Sequence, residues 1–174
     1  MNTLLDKENP VLRNKAEAVD PSEFGSSWIK KLAYEMIDIM KDKAAVGVAA
    51  PQIGVSKRLI VFGTAYTKSR KIENPIPDTI LVNPSFKILS IEIQKGYEGC
   101  LNCGDLRGEV PRAMEIEYSG FDLEGNLIKR NARGLEARIV QHEIDHLDGI
   151  LFFDHVEDKS SLITAAELEK RVNG

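Results

Sequence analysis

Three residues that could hold and use a metal ion follow one another at helical spacing: His142, Glu143 and His146. Histidines at i and i+4 stand one turn apart on one face of an α-helix, so both imidazoles can reach the same ion. Glu143 projects beside them and can hold a water molecule whose pKa the metal lowers towards neutrality. Two histidines buried only for packing are the alternative, but Glu143 on the same face argues against it. The pattern therefore predicts half of a catalytic metal site in a hydrolase.

Two histidines need a third ligand. Long zinc-peptidase motifs continue to a glycine and a further histidine, and Gly149 stands at the expected offset. Phe152 occupies the position where that histidine is required, and His155 comes three residues too late. The remaining candidates are Cys100 and Cys103, because a thiolate is a good ligand for a borderline-soft divalent ion.

The two cysteines allow three interpretations. Both could join the histidines in a closed structural Cys2His2 site, or one could ligate and leave a position open for water, as catalytic sites do. A closed site leaves Glu143 without a function, and Cys103 lies far from His142 for a small zinc finger. A thioredoxin-like redox pair would normally begin a helix in a βαβ unit, whereas Gly99 and Gly104 frame a strand-and-loop region. We favour the open site.

The metal-binding helix must be positioned by the rest of the chain. Apolar residues from Trp28 to Met40 recur at helical spacing and predict an amphipathic helix, which Ser26 or Ser27 could cap. The small-residue stretch Ala44–Gly54 is too apolar to be a solvated linker. Short β-branched or aromatic runs predict strands: Leu59–Phe62, Ile80–Val82, Phe86–Ile93 and Met114–Tyr118. A turn at Asp122–Asn126 predicts a hairpin between Ile116–Phe121 and Leu127–Arg130.

Helical periodicity returns at Leu135 and stops at Gly149, a natural residue to follow a helix end. A last helix is predicted over Ser161–Val172. The resulting fold class is α+β: an antiparallel β-sheet region packed around a central metal-binding helix, with an amphipathic helix in the N-terminal half and a C-terminal helix. We expect residues 1–174 to form one catalytic domain.

The predicted metal-binding helix divides into three faces. One is a core-facing stripe of Ala137, Val140, Ile144 and Leu147, and one is a polar stripe of Arg138, Gln141, Asp145 and Asp148. The third carries Leu135, Ile139, His142, Glu143 and His146. Three titratable groups that share a stripe with apolar residues indicate a site and not a packing surface.

The composition argues against several classes of protein. The 174 residues are 43% hydrophobic and 29% charged, with a net charge of −4, which argues against an electrostatic nucleic-acid surface. No apolar run approaches the roughly 20 residues of a membrane span. The first nine residues lack the pattern of a signal or transit peptide. Two cysteines do not make a disulfide scaffold, so a cytoplasmic protein is expected.

Three segments together resemble the peptide deformylase family: Gly47–Gln52, Glu98–Leu101 and Gln141–His146. Their order and intervals match, and weaker similarity runs from Asn9 to about Phe153. The resemblance implies removal of the N-terminal formyl group from newly made, formyl-methionyl polypeptides. A metallopeptidase of other specificity, which shares the His-Glu-x-x-His pattern, is the alternative enzyme.

The resemblance also implies the roles of individual residues. Cys100, His142 and His146 would be the metal ligands, and Glu143 the general base and then acid while metal-bound hydroxide attacks the formyl carbon. The Gln52 side chain and the Leu101 backbone N–H would stabilise the oxyanion.

Three further positions are expected to shape substrate binding. Small side chains near Gly47 would let the substrate backbone approach, and Leu135 and Ile139 would floor the pocket for the methionine side chain; ordinary packing is the alternative for all three. The family typically uses ferrous iron and accepts nickel, cobalt or zinc. The expected partners are formylated nascent peptides, with a transient ribosome contact and no nucleic acid or membrane.

Some positions depart from the commonest family pattern. Ala45 replaces a usual glycine, Asn102 a frequent serine, and Arg138 an apolar residue one turn before His142; Cys103 and Gly104 fall in a variable stretch. None is a predicted ligand, base or oxyanion donor, so we expect the chemistry to survive. We expect Arg138 to be solvated at the edge of the site.

Overall fold

The computed structural model describes residues 3–67, 72 and 74–173. Within these residues the α-helices are α1 Ser27–Asp42, α2 Leu135–Leu147 and α3 Ala165–Asn173. The strands are β1 Gly47–Ala49, β2 Leu59–Phe62, β3 Thr79–Ile88, β4 Ile93–Glu98, β5 Leu106–Ala113, β6 Glu115–Phe121, β7 Leu127–Arg133 and β8 Ile163–Thr164. The N-terminal segment, expected to be irregular, contains two short 3-10 helices, Pro10–Arg13 and Pro21–Glu23.

The strands form two antiparallel sheets. The larger has the order β1-β2-β3-β6-β7, and the smaller has the order β4-β5-β8. The predicted β6–β7 hairpin is present, with Phe121 paired to Leu127 across the Asp122–Asn126 turn. The α+β class with antiparallel sheets is confirmed.

The strand boundaries differ from those expected in one region. Ile80–Val82 and the start of Phe86–Ile93 belong to one strand, β3, which is interrupted by a register shift between Val82 and Ser85. Asn83 lies inside this shift with φ 51°, and Pro84 follows it. The sequence therefore suggests two separate strands, although the strand continues through the irregularity. Ile93 begins the next strand instead, and β5 was not predicted as a separate strand.

Helix α2 lies between the two sheets. Its apolar stripe packs against the large sheet, in one core cluster with Phe62 of β2 and with Ile116 and Tyr118 of β6. Two members of its polar stripe, Arg138 and Gln141, are buried as well, and Gln141 bonds both the N–H and the C=O of Ala113 in β5. The small sheet covers this part of the stripe, whereas Asp148 at the end of the helix is exposed.

Arg138 corrects one expectation. It is not solvated: only 8% of its surface is exposed, and its guanidinium donates to Glu98 and to backbone carbonyls of the small sheet. Gly96 in β4 makes room for it, because a Cβ there would stand 3.2 Å from the Arg138 guanidinium carbon.

The remaining helices match the predicted patterns. Helix α1 buries Ile29, Leu32, Ala33, Met36 and Met40, and the small-residue stretch after it forms β1 and a buried 3-10 turn, Ala50–Ile53. Helix α3 begins four residues later than predicted, because Ile163 and Thr164 pair with β5 first. Among the described residues, no helix is long and apolar enough to cross a membrane.

Candidate active site

Helix α2 carries the predicted site, and hydrogen bonds at its C-terminal end determine where it stops. The Gly149 N–H bonds the His146 carbonyl and the Ile150 N–H bonds the Asp145 carbonyl, which is the Schellman pattern. Gly149 has φ 74°, and a Cβ there would stand 2.4 Å from the Arg13 carbonyl oxygen. Glycine is therefore required both by the left-handed conformation and by the close approach of the N-terminal segment.

Cys100, His142 and His146 meet at one point, where their ligand atoms all lie within 4.8 Å of one another. His146 Nε2 is 3.2 Å from His142 Nε2 and 3.4 Å from Cys100 Sγ. Three lone-pair donors directed at one another fit a shared cation, and one thiolate with two imidazoles suits a divalent transition metal. Cys103 is free and buried, but it is not a member of this group.

A buried charge network stands behind His142. Its Nδ1 lies 2.8 Å from Glu98 Oε2, and Glu98 accepts hydrogen bonds from Arg112 and Arg138. Burial alone would raise the pKa of Glu98, but the bonds from His142 and Arg112 hold it far below its usual range. The carboxylate therefore accepts from Nδ1 and leaves Nε2 of His142 facing the other two ligand atoms.

The two imidazoles differ in their electrostatic surroundings. Burial favours the neutral form of both, and together with the neighbouring His142 it puts the pKa of His146 well below its usual value. For His142 the adjacent Glu98 outweighs burial and raises the pKa. Glu98 thus favours positive charge on His142, whereas burial favours the neutral form of His146.

Glu143 is buried beside the three ligand atoms. Burial raises the pKa of its carboxyl group to about 7, so the group can both take up and release a proton near neutral pH. Its Oε2 is fully buried without a hydrogen-bond partner among the described residues. Gly47 in β1 allows this close packing, since a Cβ there would stand 2.4 Å from Glu143 Oε1.

Gln52 approaches from the 3-10 turn after β1. Its Oε1 accepts the Ala49 N–H at 2.8 Å, and its Nε2 donates to Cys100 Sγ at 3.2 Å and to Asn102 Oδ1 at 2.8 Å. Leu101 begins the next 3-10 turn, so its amide N–H has no partner within that turn. Both predicted oxyanion donors thus lie next to Cys100.

A cavity of about 330 Å³ opens onto these groups. Gly47, Leu135, Ile139 and Leu101 line it, together with Gln52, Cys100, His142, Glu143 and Arg138. The structure thus brings all but one of the predicted site residues to one cavity wall; the exception, His146, lies behind it, with only 1% of its surface exposed.

Comparison with known proteins agrees with this geometry. Residues 1–161 match the family described as polypeptide deformylase. The chain is 41% identical to peptide deformylase 2 of Pseudomonas syringae pv. tomato over 145 residues, which are 83% of this chain and 81% of that protein.

The chain belongs to the peptide deformylase family.

Solved deformylase structures share the fold. An actinonin-bound class I type b peptide deformylase from Acinetobacter baumannii aligns with TM-score 0.82 and 33% identity, over 90% of this chain and 99% of that one. The same enzyme bound to Met-Ala-Ser aligns with TM-score 0.80 and 34% identity, over 90% and 98% of the two chains. Membership makes this chain an enzyme, and the deformylase family is metal-dependent.

Sequence reasoning missed the residues that support the deformylase site. Glu98 stands in the same motif as Cys100, two residues before it at the end of β4, but the motif alone gives it no role. Arg112 carries no such signal, because β5 also contains Arg107 and Glu109 and shows no apolar strand pattern. Asn102 was noted only as a departure from the family pattern.

Proposed function

We propose that this chain removes the N-terminal formyl group from formyl-methionyl nascent polypeptides. The observation that carries the proposal is the convergence of Cys100, His142 and His146 beside a buried Glu143 carboxyl group in an open cavity. A structural metal would not need a buried carboxyl group that lacks a partner.

Cys100 Sγ, His142 Nε2 and His146 Nε2 would hold one divalent ion. When bound, the ion supplies Lewis acidity that polarises the formyl oxygen and acidifies a water molecule. We propose Fe2+ as the resident ion, with Zn2+, Ni2+ and Co2+ as ions the same donors can accept.

Glu143 would move the proton. Its carboxylate takes a proton from the attacking water, and the resulting carboxylic acid delivers it to the nitrogen of the departing amine. A pKa of about 7 suits a group that acts first as a base and then as an acid. Packing against Gly47 keeps the carboxyl group in one place between the two steps.

Gln52 and Leu101 would stabilise the negative charge that develops on the formyl oxygen. The Gln52 Nε2 amide and the Leu101 backbone N–H both lie next to Cys100, on the wall of the same cavity. Hydrogen-bond donors fixed in advance cost no reorganisation when the charge appears.

The cavity also accommodates the residue that follows the formyl group. Leu135 and Ile139 form an apolar wall next to His142, which suits the unbranched methionine side chain. Gly47 lets the substrate backbone approach Glu143 because it carries no side chain. We propose that formylated nascent peptides are the partners of this chain, and that it reaches them through a transient contact with the ribosome. Its cytoplasmic location stays a prediction.

A peptide series tests the proposal. Protein purified anaerobically and analysed for metal is given formyl-Met-Ala-Ser, acetyl-Met-Ala-Ser and a longer peptide blocked at both ends. Release of formate from the first, with no acetate and no internal cleavage, is expected. Internal cleavage without formate release would overturn the proposal and support a metallopeptidase.

A further inference from the structure

Asn102 is a buried residue next to the site, and the reaction proposed above gives it no function. Only 8% of its surface is exposed, and it lies two residues after Cys100 in the 3-10 turn that Leu101 begins. Its carboxamide makes four hydrogen bonds within the described residues. Oδ1 accepts from Gln52 Nε2 at 2.8 Å and from the Cys100 thiol at 3.6 Å. Nδ2 donates to the carbonyls of Leu5 at 2.7 Å and Gln52 at 3.0 Å.

The orientation of both carboxamides is fixed by these partners. Backbone carbonyls can only accept, so the atom of Asn102 that faces them must be the nitrogen, and its oxygen must face Gln52. The Ala49 N–H can only donate, so Gln52 must present Oε1 to it and Nε2 to Asn102. Rotating either amide by 180° would oppose two donors or two acceptors.

This arrangement leaves one N–H group of the Gln52 carboxamide for the site. Nε2 carries two hydrogens, and Asn102 Oδ1 takes the first of them. The second points towards Cys100 Sγ, at the edge of the three ligand atoms. Because the carboxamide is held at both ends, this N–H is directed at the site before substrate arrives.

The N-terminal segment completes the support. Leu5 accepts from Asn102 through its carbonyl and donates its own N–H to the Gln52 carbonyl at 2.9 Å. A serine hydroxyl has one hydrogen, so at position 102 it could not donate to both carbonyls while accepting from Gln52.

We propose that Asn102 is a positioning residue for deformylation, which acts by orienting the Gln52 carboxamide. The inference rests on the proposed role of Gln52 as an oxyanion donor. Asn102 Oδ1 also lies 3.6 Å from Cys100 Sγ, but it does not touch the formyl group or the attacking water in this scheme. Its effect on the rate is expected to pass through Gln52, and the test below separates this route from one through Cys100.

A double-mutant cycle tests this. Asn102→Ala, Gln52→Ala and the double variant are assayed with formyl-Met-Ala-Ser at equal metal content, and kcat and KM are measured separately. We expect Gln52→Ala to lower kcat about 100-fold and Asn102→Ala about 10-fold, each with KM little changed. The double variant should match Gln52→Ala within a factor of about 2, because no oriented amide remains to lose.

Each outcome has a distinct meaning. If the Asn102→Ala loss recurs in full in the Gln52→Ala background, Asn102 does not act through Gln52 and the inference is overturned. Wild-type kcat in Asn102→Ala would overturn it as well. Wild-type kcat in Gln52→Ala would instead remove the proposed oxyanion role, while formate release would still support deformylation.

Two further variants separate positioning from folding. Asn102→Ser keeps one group that can accept from Gln52, so it should recover several-fold in kcat over alanine; it also replaces Asn102→Ala in the cycle if that variant does not fold. Asn83→Ala is the matched control, since Asn83 bridges the N–H and C=O of Val19 away from the cavity. It should lower the melting temperature and leave kcat unchanged.

Discussion

Glu98 Oε2 lies 2.8 Å from His142 Nδ1, and through this contact a proposed metal ligand is joined to two buried arginines. Arg112 extends the network to Asp145, which in turn contacts His155 at 2.8 Å. His155, which comes three residues too late for the long zinc-peptidase motif, lies at the outer end of this charge network.

Removing the Glu98 carboxylate should lower both the stability of the protein and its affinity for the metal. In Glu98→Ala, Arg138 loses its buried counter-charge and Arg112 keeps only Asp145, so we expect the free energy of unfolding to fall by about 3–5 kcal/mol. His142 would also lose the partner of its Nδ1, which should weaken metal binding about 10- to 100-fold. Denaturant unfolding and competition for Co2+ with a chelator measure the two effects. Metal affinity equal to that of the unaltered protein would contradict the role of Glu98.

Glu143 should be dispensable for metal binding and required for turnover. Glu143→Gln keeps the volume of the buried side chain but cannot take a proton, so we expect kcat to fall by about 10²–10⁴-fold with full metal content. The matched control is Glu136→Ala, two turns earlier on α2, where the carboxylate accepts a hydrogen bond from the Tyr118 hydroxyl instead. Substantial turnover in Glu143→Gln would remove the residue from the base role.

The two cysteines should behave differently. Cys100→Ser replaces a thiolate at the point where three ligand atoms meet, so purified protein should lose most of its metal. Cys103 lies outside that group, and Cys103→Ser should retain both metal and formate release. Elemental analysis of the two proteins, prepared side by side, decides between an open site and a closed Cys2His2 site. Metal loss from Cys103→Ser would favour the closed one.

Gly47 should tolerate no side chain. In Gly47→Ala the new Cβ would lie 2.4 Å from Glu143 Oε1, so the carboxyl group must move. We expect kcat to fall about 100-fold, because a displacement of this size removes an aligned catalytic group. Gly120→Ala is the control: its Cβ would be 3.0 Å from the Val82 carbonyl, remote from the cavity. Only stability should change there, and equal loss of kcat in both variants would contradict a local effect at Glu143.

The sequence by itself determined that the groups of the proposed chemistry share one helix face. The spacing of His142, Glu143 and His146 is a property of any α-helix, so it places the three groups together before the rest of the fold is known. The end of α2 at Gly149 and the hairpin around Asp122–Asn126 are local in the same sense, since a few neighbouring residues decide them. Ligand chemistry made Cys100 and Cys103 the candidates for a third ligand, and resemblance to a family chose Cys100 between them.

The tertiary structure decided which groups support that chemistry. Whether Arg138 is solvated depends on what covers the polar stripe of α2, and the carbonyls that it reaches in the covering sheet lie 28 and 44 residues earlier in the chain. The same holds for Glu98 at His142 and for Asn102 between Gln52 and Leu5, whose partners are 44, 50 and 97 residues away. Helical periodicity reports only near neighbours, whereas hydrogen bonds between distant segments exist only once both sheets have packed around the helix.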